Sequence, residues 1–300
     1  MTNSLGRVLL TGATGLVATH ISELFSESDD LVLTSRSTVA NTPFHFEHFD
    51  WRNTDEIKSF LKSVRPKTII HTAGVTSVDY AELNKQETGL VNVAAVQEMV
   101  SWCKLNDCRL VHFSTDFVFD GELGMYSEAN ESNPLSYYGS SKLKSEQIVL
   151  TGLVSSIVIR TVLVYGYNAQ LSRLNFPLWL KQQLEQGVEL SITADQFRTP
   201  TYAEDLAKAT ILLARSNVSG LFHVGGPQYM SVFDFALLVC DEFNLNRELI
   251  KPSKTEIMNQ SGKRPLKTGF DISKVSSQID YQPVNVIDGL TLMHQRMISE

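Results

Sequence analysis

The chain has 300 residues, enough for one large domain or two smaller ones sharing an interface. Apolar residues make up 43% and charged residues 20%, the balance of an ordinary soluble globular protein. A net charge of −7, with no basic run longer than a pair, excludes nucleic acid as the main partner, because neutralising phosphates needs clustered Lys and Arg.

The N-terminus "MTNSLGRVLLTG" passes straight into a strand-like run, without a charged leader before a long apolar stretch. No window is apolar for long enough to span a bilayer, so no membrane association is expected and the cytosol is the expected place. Apolar runs at 7–12, 31–36, 44–50, 68–74, 109–115 and 155–161 predict strands. Most are nearly continuous in Val, Ile and Leu, as strands buried on both faces must be. Helical patterns at 15–27, 54–64, 88–105 and 138–150 lie between them. This alternation predicts right-handed crossovers and a parallel sheet covered on both faces.

Beyond about residue 165 the rhythm loosens. Residues 173–187 read as a helix ended by Gly187, and 202–215 as another. Residues 221–226 read as a strand, and 231–243 as a helix with Ser231 as N-cap. The expected fold is therefore α/β, a Rossmann-like doubly wound parallel sheet with a smaller C-terminal α/β substrate lobe. Residues 1–165 are expected to form the Rossmann-like sheet domain. Residues 166–300 form mainly the lobe, with segments returning to the core and a cleft between.

"VLLTGATGLVATHI" places Gly12 and Gly15 at the turn from the first strand into the first helix, with Thr14 and Leu16 beside them. Glycine there lets the backbone turn tightly and approach a pyrophosphate, and Ala18 at the third position is small enough for close helix–strand packing. The second strand ends in Ser35 and Arg36 with no acid. A carboxylate there would bind a ribose 2′-hydroxyl, whereas an arginine receives a 2′-phosphate, so NADPH is expected over NADH, with NADH still usable.

In "NPLSYYGSSKLKSE", Ser136 can cap a helix that starts near Tyr137. Tyr138 and Lys142 are four apart and share a face; Tyr137 and Lys142, five apart, do not. A tyrosine hydroxyl has an ordinary pKa of about 10. A nearby lysine cation favours the phenolate and makes the pair a usable acid for an alkoxide left by hydride addition. "HFSTDFVFDG" ends the fifth strand at the carboxyl edge of the sheet, where Thr115 can hold the carbonyl oxygen.

"TGATG", "STDFVFDG" and "YGSSK" together resemble the extended short-chain dehydrogenase/reductase superfamily, and within it the dTDP-4-dehydrorhamnose reductase family. "HTAGVTSVDYAE", "DQFRTPTYAEDLA" and "RPLKTGFDISK" extend the resemblance over nearly the whole chain. It implies NAD(P)H-dependent reduction of the 4-keto group of a nucleotide-linked 6-deoxy sugar. It implies Thr115, Tyr138 and Lys142 as the catalytic trio, with Tyr138 as proton donor and Lys142 also on the nicotinamide ribose. It places Asp50 near the adenine, Ala73 and Gly74 along the cofactor, and Val162 near the nicotinamide. Thr76, Asp116, Leu163 and Asn175 become candidates for the substrate. Family members are often dimers, so a homodimer is the implied assembly.

Two departures bear on the substrate. The family pattern has tryptophan where this chain has Leu163, and glycine where it has Arg198. Arg198 could clamp a substrate phosphate in a bidentate fork, and Arg264 is a second candidate. A 4,6-dehydratase needs an Asp–Glu pair after the threonine, and here Asp116 is followed by Phe117. An epimerase would use the same Tyr and Lys. A regulatory subunit resembling the methionine adenosyltransferase beta subunit would bind the cofactor alone. Cys103, Cys108 and Cys240 form no C-x-x-C and suit a reducing compartment. His71 and His112 read as core or cleft residues, and no metal spacing occurs. Phe44, Phe46, Phe49 and Trp51 read as packing at a sheet edge.

Overall fold

The computed structural model describes residues 4–39, 42–153, 155–171, 173–257 and 260–300. Seven parallel strands form the main sheet, in the order Gly220–His223, Ile157–Thr161, Arg109–Thr115, Thr68–His71, Val8–Thr11, Leu31–Ser35, His45–His48. Strand alternation explains the two cores. Val8 and Leu10 point to one face with Leu31, Leu33, Ile70, Val111 and Ile159. Leu9 points to the other with Val32, Ile69, Leu110 and Val158.

Helices Leu16–Ser22 and Ala203–Arg215 cover the first face and pack on each other. Helices Thr54–Val64, Ala95–Asn106 and Tyr137–Gly152 cover the second. Helix Ala203–Arg215 and strand Gly220–His223 come from the C-terminal half, which thus returns to the main sheet. The remaining lobe packs helices Phe176–Glu185, Val232–Glu242 and Val286–Ser299 around Tyr165, Leu180, Phe235 and Met293. Strands Leu190–Thr193 and Ile250–Ser253 pair in parallel against it. Ser231 caps its helix, accepting the Asp234 N–H at 2.9 Å.

Three expected elements differ in detail. The third strand, His45–His48, is half exposed because it is the sheet edge. Phe49 and Trp51, just beyond it, are buried against Phe60. The first helix stops at Ser22, where a turn closed by Asp29 on Ser26 takes over. The helix expected at 88–105 is three pieces: Lys85–Gly89, a π-helical turn Leu90–Ala94, and Ala95–Asn106. A π turn admits one extra residue and re-aims a side chain. Here it directs Asn92 inward, where its amide holds both backbone groups of Val75 and the Ser141 hydroxyl. Cys103, Cys108 and Cys240 are free and buried.

Candidate active site

The strand order reverses between Thr68–His71 and Val8–Thr11, which opens a crevice at the carboxyl ends. Hydrogen bonds across that gap fix its floor. Thr72 Oγ1 donates to the Thr11 carbonyl at 2.6 Å, and Ala73 N–H donates to Thr11 Oγ1 at 3.1 Å. Gly12 has φ +71°, and a Cβ there would stand 2.9 Å from both Ala73 N and Thr72 Oγ1. Only glycine closes the turn this tightly. Gly15 begins the helix and faces the cleft, while Ala18 is fully buried behind it.

The cleft holds about 1080 Å³. Gly12, Thr14, Gly15, Leu16, Ser35, Arg36, Asp50, Ala73 and Gly74 line one stretch of it. Thr76, Thr115, Asp116, Tyr138, Lys142, Leu163 and Asn175 line the rest. Val162, Arg198 and Arg264 do not belong to this lining. Val162 packs instead with Val118, Phe119, Tyr126 and Phe270. Arg198 is buried and directs its donors to the carbonyls of Phe197, Pro265 and Leu266, with Nε 3.4 Å from Asp116 Oδ2. Arg264 is held by Asp79 through Nη1 and Nη2. Neither arginine offers the cleft a phosphate fork; their partners are within the protein.

Ser136 caps helix Tyr137–Gly152 by accepting the Gly139 N–H at 3.2 Å. That start sets the phase: Tyr138 and Lys142 face the cleft, and both are more than nine-tenths buried. Tyr137 turns away, with Lys85 over its ring. Burial pushes the Tyr138 hydroxyl up to about 12; a Thr115 hydrogen bond and Arg173 oppose this, while Asp116 adds to it. A lysine cation four residues on is expected to pull that hydroxyl down. In the structure desolvation outweighs every attraction, so the phenol keeps its proton at neutral pH. Burial also lowers Lys142 to about 8, against the charge of Glu146. Glu146 itself pairs with buried Arg160 at 2.7 Å.

Thr115 Oγ1 donates to Asp116 Oδ1 at 3.1 Å and accepts the Phe117 N–H at 3.3 Å. Burial raises the Asp116 carboxyl, opposed by Arg198, Thr268 and Thr115. Leu163 lines the cleft with φ +40°, a left-handed conformation that is strained for a bulky residue. Asn175 opens the next helix; its Nδ2 donates to the Gly166 carbonyl, and its buried Oδ1 has no partner among the described residues. His71 and His112 stack beneath the site at 5.5 Å, bonded to Thr11 and Ser145. Among the described residues no group of three or more His, Cys, Asp or Glu could hold a metal.

A glycine cradle at a switch point stands beside a buried Thr–Tyr–Lys set, an arrangement chemically able to hold a dinucleotide next to a proton donor. The sequence model described as the RmlD substrate binding domain matches residues 6–298. The chain belongs to this family. The dTDP-4-dehydrorhamnose reductase of Aggregatibacter actinomycetemcomitans, one such relative, is 31% identical over 93% of this chain and 95% of its own length. The methionine adenosyltransferase 2 subunit beta of Xenopus tropicalis is 27% identical over 90% of this chain and 81% of its own. The crystal structure of dTDP-4-dehydrorhamnose reductase from Bacillus anthracis in complex with NADP superposes with TM-score 0.85 at 25% identity, covering 98% of this chain and 100% of that one. The mostly parallel sheet is thus the architecture this RmlD-like chain shares with reductases.

Several cleft residues carried no readable signal. Arg173 lines the cleft, donates to Thr76 Oγ1 at 3.4 Å and acts on Tyr138. Arg52, Tyr80 and Glu87 line it beside Arg36. They come from loops and short helices far apart in the chain, where no spacing rule joins them. Trp51 packs at the sheet edge and also reaches the cleft.

Proposed function

We propose that this chain reduces the 4-keto group of a nucleotide-linked 6-deoxy sugar with NADPH, NADH serving less well. The observation that carries the reading is a buried Tyr138 beside Thr115 and Lys142 in the cleft that also contains the Gly12 cradle. Membership of the RmlD family and the NADP-bound Bacillus anthracis neighbour support the cofactor and substrate class.

The residues fit a dinucleotide. Gly12, Thr14, Gly15 and Leu16 would hold its pyrophosphate, Asp50 its adenine end, Arg36 a 2′-phosphate, and Ala73 and Gly74 its flank. Bound there, it supplies the hydride that reduces the ketone carbon. Thr115 orients the substrate oxygen, and Tyr138 gives its hydroxyl proton to that oxygen as the alcohol forms. The lysine ammonium, which makes no hydrogen bond among the described residues, then stabilises the phenolate until solvent returns the proton. Asn175, whose Oδ1 has no partner among the described residues, and Arg173 would bind the substrate's polar groups.

By the same family likeness the setting is the cytosol and the assembly a homodimer. Among the described residues, no helix is long and apolar enough to cross a membrane. The test is loss of NADPH absorbance on adding a dTDP-4-keto-6-deoxy sugar. Tyr138→Phe should lower kcat by at least about 100-fold, the usual worth of a positioned acid, and leave cofactor affinity intact. Tyr137→Phe should cost far less. NADPH bound but never oxidised would favour an epimerase or a regulatory subunit.

A further inference from the structure

Four charged side chains meet at the end of the cleft where the second and third strands stop. Arg52 binds Asp50 through Nε, at 3.0 and 2.9 Å, and through Nη2. Its Nη1 is left pointing at Glu87 Oε1, 3.5 Å away. Arg36 Nη1 stands 3.9 Å from the same oxygen. Tyr80 donates its hydroxyl to Glu87 Oε2 at 2.7 Å. All of them, with Ser35 and Ser37, line the one cleft.

The charges here cancel: two arginines face two carboxylates. A site built only for a phosphate monoester would leave its cations unopposed. Glu87 instead lies between both guanidiniums at distances long for an ion pair, and its tight bond is to Tyr80. Arg36 is 59% exposed and free to turn.

We infer that Glu87 is a specificity-determining residue that lets the site take a nicotinamide dinucleotide with either a 2′-hydroxyl or a 2′-phosphate. The inference rests on the dinucleotide reading of the cleft. With a free ribose, the carboxylate accepts the 2′-hydroxyl, the role an acid at this end of a Rossmann sheet performs. With a 2′-phosphate, Glu87 stays on Tyr80 and yields Arg36 and Arg52 Nη1 to the phosphate oxygens, which carry more charge than one carboxylate. The carboxylate then repels the phosphate at close range, so Glu87 narrows the preference for NADPH without abolishing it.

The test is equilibrium binding of NADPH and NADH to the substrate-free protein by calorimetry, for wild type, Glu87→Gln and Arg52→Gln, with thermal midpoints as a folding control. Wild type should bind both, NADPH more tightly. Glu87→Gln should tighten NADPH and weaken NADH, raising their affinity ratio about fivefold or more, the scale of one partly exposed charge contact. Arg52→Gln should weaken NADPH and leave NADH nearly unchanged. A ratio unmoved by Glu87→Gln, or both affinities falling together in either variant, overturns the inference while the dinucleotide reading stands. Wild type binding neither cofactor overturns that reading and this inference with it.

Discussion

Lys142 illustrates how a side chain proposed for catalysis works against the fold that carries it. Its ammonium is buried, finds no hydrogen bond among the described residues, and has its pKa lowered to about 8. An unfolded lysine titrates at about 10.4, so between those two values the unfolded chain binds more protons than the folded one. The cost of burying the cation is therefore fully present below pH 8 and is relieved as pH rises toward 10.4. Tyr138 acts in the opposite sense: raised to about 12, it stabilises the folded state below pH 10 and loses that contribution as pH climbs through 12. Lys142→Met, similar in volume and uncharged, should stabilise the substrate-free protein at pH 7 by on the order of 2–3 kcal/mol. It should also flatten the rise in stability between pH 8 and 10. Urea titrations across that range measure both effects, and a destabilised Met variant would mean that the ammonium has a partner in the folded protein.

At the scale of elements, the approach of helix Tyr137–Gly152 to the end of strand Arg109–Thr115 decides whether the trio assembles. Gly139 is the contact that permits it. A Cβ there would lie 2.2 Å from the Phe117 carbonyl oxygen and 3.0 Å from Pro134 Cβ, and both are rigid. Gly139→Ala must push the helix start away from Thr115. The expected cost is about 1–3 kcal/mol of stability. Turnover should fall more steeply, up to about 100-fold, because a misplacement near 1 Å spoils the shared geometry of Tyr138 and Thr115. Lys144→Ala, on the exposed face of the same helix, should change neither; thermal melts and initial rates read the two together. The pairing of Tyr138 with Lys142 was legible in the sequence, because helical phase depends only on spacing and on the Ser136 cap. The need for Gly139 was not, because it arises from a carbonyl 22 residues earlier that only the fold brings near. Arg198 was misplaced for a related reason: a sequence shows a cation but not the carbonyls of Pro265 and Leu266 that absorb its donors.

Across the whole molecule, the parallel sheet was readable strand by strand, since its central strands are buried on both faces and so are apolar without interruption. The lobe was less so, because its two-residue strands, such as Phe197–Arg198 and Met230–Ser231, are too short to show any period. Burial of this extent also encloses three histidines whose charged forms have no room to hydrate. His71 and His223 are lowered to about 3 and His112 well below its ordinary value, each chiefly by desolvation. Unfolding exposes them to water, where they titrate at about 6.5. Below that pH the unfolded chain binds more protons, so stability contributed by neutral burial is present above 6.5 and is lost as pH falls toward 3. Between pH 6.5 and 5 the loss is about 2 kcal/mol for His71 and for His223, and His112 acts in the same direction. Glu23, lowered to about 2, adds to the loss only at more acid pH. Asp116 and Asp205, raised by burial, oppose the loss. Urea unfolding at pH 7 and pH 5 should therefore show a steep acid destabilisation. His112→Gln should reduce the slope by about one proton whatever it does to stability at pH 7. An unchanged slope would show that His112 is already protonated, or hydrated, in the folded protein.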